Sequence, residues 1–241
     1  MRLTQSMTTP KPEFDQYASN YKGLLSEPIR NIFASDPTFY SHRKWLIIQD
    51  FFRRRNQSLS GLSWLDVGCG EGELLRNGMH TFARLAGCDP SHGMLSAIQD
   101  LDVRPQPDSE KLPFEDATFD FVTAVCVFHH VEPHSRQALL AEMRRILAPG
   151  GIACLIEHNA YNPVVRGMVR RIAVDANAIL LEPSETKDRF LQAGFQPIAT
   201  EYFLYLPEPF FKLVGKAESL GRHLPLGGQY ASFALKSEGK E

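Results

Sequence analysis

His129-His130 and Glu157-His158-Asn159 are the residues of this sequence best placed to hold or move a proton. Each group ends an apolar run, FDFVTAVCV before the first and IACLIE before the second. Each therefore emerges where a buried strand meets solvent. An imidazole titrates near neutrality and can take a proton from an acceptor. A carboxylate, an imidazole and an amide at a buried strand end are costly unless hydrogen-bonded, which marks His158, with Glu157 beside it, as a candidate base or substrate anchor. For His129 and His130 the competing reading is a polar lining that shapes the loop.

A second constellation lies in WLDVGCGEGELL, residues 64–75. Gly68, Gly70 and Gly72 alternate between an apolar run and a helical pattern, where backbone N–H groups and the helix dipole face a ligand. The dinucleotide fingerprint G-x-G-x-x-G sets its third glycine one position later, and Glu71 here would push a carboxylate towards a pyrophosphate. The spacing favours a cofactor without phosphates over NAD; a purely structural turn is the alternative. Asp89, in CDPSHGML, ends the next apolar run, where an acidic side chain can accept from both ribose hydroxyls.

Such placements need strands alternating with helices. Residues 62–67, 84–88, 119–127 and 152–157 read as buried strands. Helices are predicted over Glu73–Phe82, His92–Gln99 and Ser135–Leu147, the last capped by Ser135 and stopped by Pro149-Gly150-Gly151. The alternation implies βαβ units and a mainly parallel sheet. A further helix, Glu185–Ala193, has Ser184 as its N-cap and Gly194 as its stop. Residues 198–206 and 229–235 alternate in polarity and are expected to form an antiparallel pair at one sheet edge.

The bulk properties agree with one domain of this kind. The chain has 241 residues, 43% of them hydrophobic, and a formal net charge of -2. That is an ordinary soluble composition, and it argues against nucleic acid as an obligatory partner. The polar start, MRLTQSMTTPKPEF, lacks the apolar core of a secretory signal, and no apolar run is long enough to span a bilayer. Cys69, Cys88, Cys126 and Cys154 sit in or beside apolar runs and form no CxxC pair. Reduced thiols in a cytoplasmic protein are expected, with no disulfide and no metal.

In order, LDVGCGEG, CDPSHGML, DSEKLPFEDATFD, FVTAVCVFHHV and RRILAPGG resemble the successive motifs of the class I S-adenosylmethionine-dependent methyltransferases, from about Phe14 to Gly151. The resemblance implies a doubly wound α/β fold with a seven-stranded, mostly parallel sheet and an antiparallel C-terminal strand pair. It implies S-adenosyl-L-methionine as cofactor and a small-molecule acceptor, oxygen ahead of nitrogen and carbon. The alternatives are a non-methylating user of the cofactor and a cofactor-binding regulatory or scaffold protein without transfer activity.

On that resemblance Gly68, Cys69, Gly70 and Gly72 line the methionine moiety, and Asp66 braces the loop and the amino group. Asp89, with Pro90 after it, holds the ribose, and Met94 packs on the adenine. Asp108 accepts from the adenine amino group, the Ser109 N–H meets a ring nitrogen, and Ala124 offers its carbonyl to the ammonium. FDQYASNYKGLL is similar to a lid helix, with Tyr17 and Tyr21 on one face, and Arg43 is placed like an arginine that pairs the cofactor carboxylate. The plainer readings are core packing for Met94, a turn cap for Asp108 and surface anchoring for the tyrosines.

The expected division is a tail over 1–12 and a single domain over 13–241. Within it lie a helical lid (13–58), the cofactor-binding core (59–157), a substrate-cover insertion (158–183) and a C-terminal helix with strand pair (184–241). Arg166 and Arg170 of the insertion either bind an anionic group or stay solvated. Phe210, Phe211 and Leu213 could cap a hydrophobic substrate, form a dimer face or touch a membrane. Monomer and homodimer are both compatible.

Overall fold

Seven strands pair into one sheet in the order β3-β2-β1-β4-β5-β7-β6. A computed structural model describes residues 13–17, 20, 23, 33–106 and 110–237. The expectations for residues 1–12, Tyr21, Asp108 and Ser109 lie outside the described residues. In chain order the elements are α1 (Phe39–Arg54), β1 (Ser63–Val67), α2 (Glu73–Asn77), β2 (Arg84–Asp89), α3 (His92–Leu95), β3 (Asp102–Pro105) and β4 (Phe119–Val125). Then follow α4 (Arg136–Ile146), β5 (Leu147–His158), α5 (Pro163–Val169), α6 (Pro183–Gln192), β6 (Phe195–Phe203), α7 (Glu208–Glu218) and β7 (Gln229–Lys236). Strands β1 to β5 run parallel, and β7 lies antiparallel to both β5 and β6. The C-terminal pair is thus antiparallel as expected, with β6 on the edge and β7 inserted beside β5.

The central strands are buried on both faces, so their alternation divides two cores rather than core from solvent. On β4 and β5, Phe119, Val122, Ala124, Ala153 and Leu155 pack with Leu139, Leu140 and Met143 of α4 and Phe190 of α6. Their neighbours Phe121, Ile152, Cys154 and Ile156 face the other way, with Trp45, Ile48, Phe51 and Phe52 of α1. Phe51 stacks on Phe233 of β7 at 3.7 Å between ring centroids, and Phe52 meets Phe121 edge-on at 5.0 Å. Helix α1 is therefore a layer of the fold.

Several boundaries differ from expectation, for local reasons. The helix after β1 ends at Asn77, not Phe82: Gly78 packs against Trp64, where a Cβ would approach the indole to 2.5 Å, and His80 turns to φ 64°. The next helix stops at Leu95. Strand β3 had no apolar signature because it is the half-exposed sheet edge. The Ser135 hydroxyl donates to Glu110 instead of capping α4, and α6 begins at Pro183 after Glu182, leaving Ser184 inside the helix. Pro149-Gly150-Gly151 does end a helix, but lies within β5 at a register shift against β4. No described helix is long and apolar enough to cross a membrane.

Candidate active site

The glycine loop joins β1 to α2 at the carboxyl edge of the sheet. The Gly68 and Cys69 N–H groups both donate to the Cys88 carbonyl, at 2.7 and 3.0 Å, which ties the loop to β2. Gly68, Gly70 and Gly72 all have left-handed backbones, with φ of 70°, 52° and 77°. A Cβ at Gly68 would meet Val127 at 2.4 Å and one at Gly72 would meet Leu101 at 2.7 Å. A Cβ at Gly70 would meet nothing within 4 Å. Two of the three glycines thus answer to the protein's own packing, and the middle one borders open space where a ligand can approach. Asp89 braces that point: its carboxylate oxygens accept from the Gly70 and Ser91 N–H groups, each at 2.8 Å. Burial raises the Asp89 pKa, and those two N–H groups oppose the rise.

Asp66, second to last in β1, is buried and accepts from the Thr123 hydroxyl at 2.6 Å. Burial pushes its pKa up to about 7, against the Thr123 bond and the nearby Lys44 ammonium. Lys44 extends from α1 and reaches the Cys126 sulfur at 3.5 Å. Arg43, the residue expected opposite a cofactor carboxylate, points elsewhere. Its guanidinium is buried in an ion pair with Glu218 of α7 and lies 3.6 Å from the centroid of the Phe211 ring. One position along a helix rotates a side chain by about 100°. That rotation makes Arg43 a clamp between α1 and α7 and gives the site a lysine in its place.

The three histidines converge. His129 is buried and donates from Nδ1 to Glu157 at 2.5 Å. The other Glu157 oxygen accepts from the Val127 and Phe128 N–H groups at 3.0 and 2.7 Å. Asp175, buried in a short 3-10 turn (Ala173–Asp175), lies 3.6 Å from His129 Nε2, 3.3 Å from His130 Nε2 and 3.9 Å from His158 Nε2. Burial opposes charge on His129, but Glu157 and Asp175 overcome it and raise its pKa to about 10. His158 goes the other way: burial and the His129 charge push it down to about 4. Asp175, despite burial, is held well below the usual carboxylate range by the histidines. Asn159 is spent on structure, donating to the Pro225 and Gly227 carbonyls at 3.1 and 2.8 Å.

The other expected residues scatter in role. Ala124 pairs with Val67 across β4 and β1, beside the loop. Cys69 and Met94 are buried, whereas Pro90 is exposed. Tyr17 meets Phe14 edge-on at 6.0 Å, and it is Phe14 that reaches the histidines, edge-on to His130 at 4.8 Å. Asp15 next to it accepts from the Ser91 hydroxyl at 2.7 Å and the Gly93 N–H at 3.2 Å. Sequence reasoning missed Lys44, Asp15 and Asp175. Lys44 adjoins the expected arginine and could have been found by weighing both faces of α1, but Asp175 carried no local signal. The exposed Arg166, Arg170 and Arg171 stand apart from this cluster in their burial.

A parallel sheet with an antiparallel final pair, a glycine loop after β1 and an acid ending β2 define the class I S-adenosylmethionine-dependent methyltransferase fold. Residues 65–155 match a family profile described as a methyltransferase domain. The chain is 26% identical over 133 residues, 53% of its length, to the human "Probable tRNA methyltransferase 9B", covering 28% of that relative. A demethylmenaquinone methyltransferase of Staphylococcus aureus is 29% identical over 143 residues, 54% of this chain and 56% of its own. The chain thus spans well under two thirds of either. A chain of the Haloferax volcanii complex between the Trm112 methyltransferase activator and a methyltransferase superposes with a TM-score of 0.67 at 20% identity, covering 95% of this chain and 100% of that one. The fold is shared across nearly the whole chain.

The class takes S-adenosylmethionine, and the residues fit it. Gly70 borders open space, and a buried carboxylate at Asp66 with the Lys44 ammonium nearby suits a group bearing both an ammonium and a carboxylate.

Proposed function

We propose that this chain transfers the methyl group of S-adenosylmethionine to a hydroxyl oxygen of a small molecule. The cofactor supplies a methyl group already activated on sulfur, so the protein must hold, orient and desolvate. Asp66 and Lys44 take the ammonium and carboxylate ends, Gly70 leaves room for the chain between them, and Asp89 stands at the end of β2 for the ribose. The observation that carries the acceptor assignment is the cluster of His129, His130, His158 and Asp175, which leaves the ends of β4 and β5 on the same edge as the glycine loop. His158, with 14% of its side chain exposed against 1% for His129, offers a neutral imidazole to an incoming hydroxyl. With its pKa near 4 it is a weak base, and holding the hydroxyl by a hydrogen bond suits it better than removing the proton.

The test is label transfer from methyl-labelled cofactor to a panel of hydroxylated metabolites, with demethylated quinols and tRNA included because relatives carry those names. Label on a metabolite oxygen supports the reading. Label on tRNA or on a ring carbon replaces it.

A further inference from the structure

His129 Nε2 is buried and has no hydrogen-bond partner among the described residues, and an Asp175 oxygen stands 3.6 Å away, beyond a proper hydrogen bond. Two other imidazole nitrogens stand around the same carboxylate at 3.3 and 3.9 Å. One ligand atom each from His129, His158 and Asp175 can be chosen so that all lie within 4.8 Å of one another. The ligand atoms of a tetrahedral site with bonds of about 2.0–2.1 Å sit roughly 3.4 Å apart. The 3.6 and 3.9 Å separations from Asp175 come near that value and are long for direct hydrogen bonds, and any wider separation within the 4.8 Å group closes as an ion binds. His129 also has the support that metal-ligating histidines have: its Nδ1–H is fixed on the Glu157 carboxylate at 2.5 Å, which leaves Nε2 as the outward donor atom.

The geometry points to a divalent-cation site of the late first-row type, held by His129 Nε2, His158 Nε2 and a carboxylate oxygen of Asp175. Two imidazoles with one carboxylate select zinc, cobalt or iron over magnesium and calcium, which prefer all-oxygen ligands. Three protein ligands leave at least one coordination position open. His130, 3.3 Å from Asp175, then orients that carboxylate from outside the ligand set. No spacing in the sequence announced the site, and the expectation of a metal-free protein came from the cysteines alone. The inference deepens the hydroxyl-methylation reading and rests on it only for the ion's use: an open position at this strand end would bind an acceptor oxygen and favour its ionised form. His158 is then a ligand.

The experiment is titration of the chelator-treated full chain with Zn²⁺, Co²⁺ and Mg²⁺, followed by calorimetry and, for Co²⁺, by its visible absorption. One equivalent of Zn²⁺ or Co²⁺ should bind, with four- or five-coordinate cobalt bands, and Mg²⁺ should bind far more weakly. Asp175→Asn and His158→Ala should each weaken Co²⁺ binding at least tenfold. Glu157→Gln, which acts through His129, should weaken it about 10–100-fold. S-adenosylhomocysteine binding by each variant reports that it has folded; should Glu157→Gln fail that check, Asp175→Asn and His158→Ala decide. Absence of Zn²⁺ and Co²⁺ binding at millimolar concentration, or binding unchanged in both Asp175→Asn and His158→Ala, overturns the site. None of these readouts needs an acceptor. A chain that binds the ion but methylates tRNA disproves the proposed function alone, and one that methylates a hydroxyl without binding the ion disproves this site alone.

Discussion

Asp66 is the residue whose ionisation should govern cofactor affinity. In the folded protein burial raises its pKa to about 7, while the Thr123 bond and the Lys44 ammonium lower it and Asp89 raises it further. The folded pKa lies above the unfolded value near 3.9, so folding favours the protonated acid. That preference is lost as the pH rises through about 7, whereas an ammonium ligand needs the carboxylate. S-adenosylhomocysteine should therefore bind more weakly as the pH falls below about 7, by at most tenfold per unit, and Asp66→Asn should flatten the dependence. Calorimetric titration between pH 5.5 and 8.5 checks this; a constant Kd in the unsubstituted protein would remove Asp66 from the ammonium. Lys44 and Arg43 form a second contrast. Lys44→Met should cost about 1.5–3 kcal/mol of cofactor binding, the range for a hydrogen bond to a charged group, with little change in stability. Arg43→Met should do the reverse, costing about 3 kcal/mol of stability by leaving Glu218 buried without its partner. Equal effects of the two substitutions on cofactor affinity would restore Arg43 to the site.

At the scale of the element, the turn between β1 and α2 separates structural from ligand-facing glycines. Gly68→Ala meets both a left-handed backbone and a Val127 methyl 2.4 Å from the new Cβ. It should lower stability by about 2–5 kcal/mol, the sum of backbone strain and overpacking. Gly70→Ala bears only the backbone cost of about 1–2 kcal/mol, but its methyl enters the space left for the ligand, so its main loss should be in cofactor affinity. Urea unfolding and ligand titration of the two variants measure the split. The opposite pattern, with Gly68→Ala stable and Gly70→Ala binding normally, would mean that the ligand runs elsewhere.

Over the whole molecule the sheet is covered on both faces, and α1 supplies much of one cover. Its aromatic residues join Trp64, Phe82, Phe121 and Phe233 in a single buried cluster that ties the N-terminal segment to the last strand. The fold should therefore be destabilised as one cooperative unit when α1 is weakened. Phe51→Ala removes the ring stacked on Phe233 and should cost about 3–5 kcal/mol in urea unfolding. A loss below about 1 kcal/mol would make α1 an appendage that docks independently of the sheet.

Local rules carried the reading of the sequence as far as local rules operate. Apolar runs alternating with helical patterns determined the βαβ plan and the antiparallel ending, because strand burial and turn chemistry are written in neighbouring residues. The glycine turn after β1 and the acid ending β2 were legible for the same reason, as was the exit of His129, His130 and His158 at the ends of β4 and β5. Element ends were less so: β3 lacks an apolar run because it is an edge, and α2 is cut short by the approach of Trp64 to Gly78. What only the tertiary structure decided is which side chains meet. Arg43 or Lys44 could have faced the site, and the choice followed from where α7 places Glu218 and Phe211. The meeting of Asp175 with three histidines from two strand ends depends on the path of the chain after β5. No local pattern encodes that path, because it is set by packing between segments far apart in the chain.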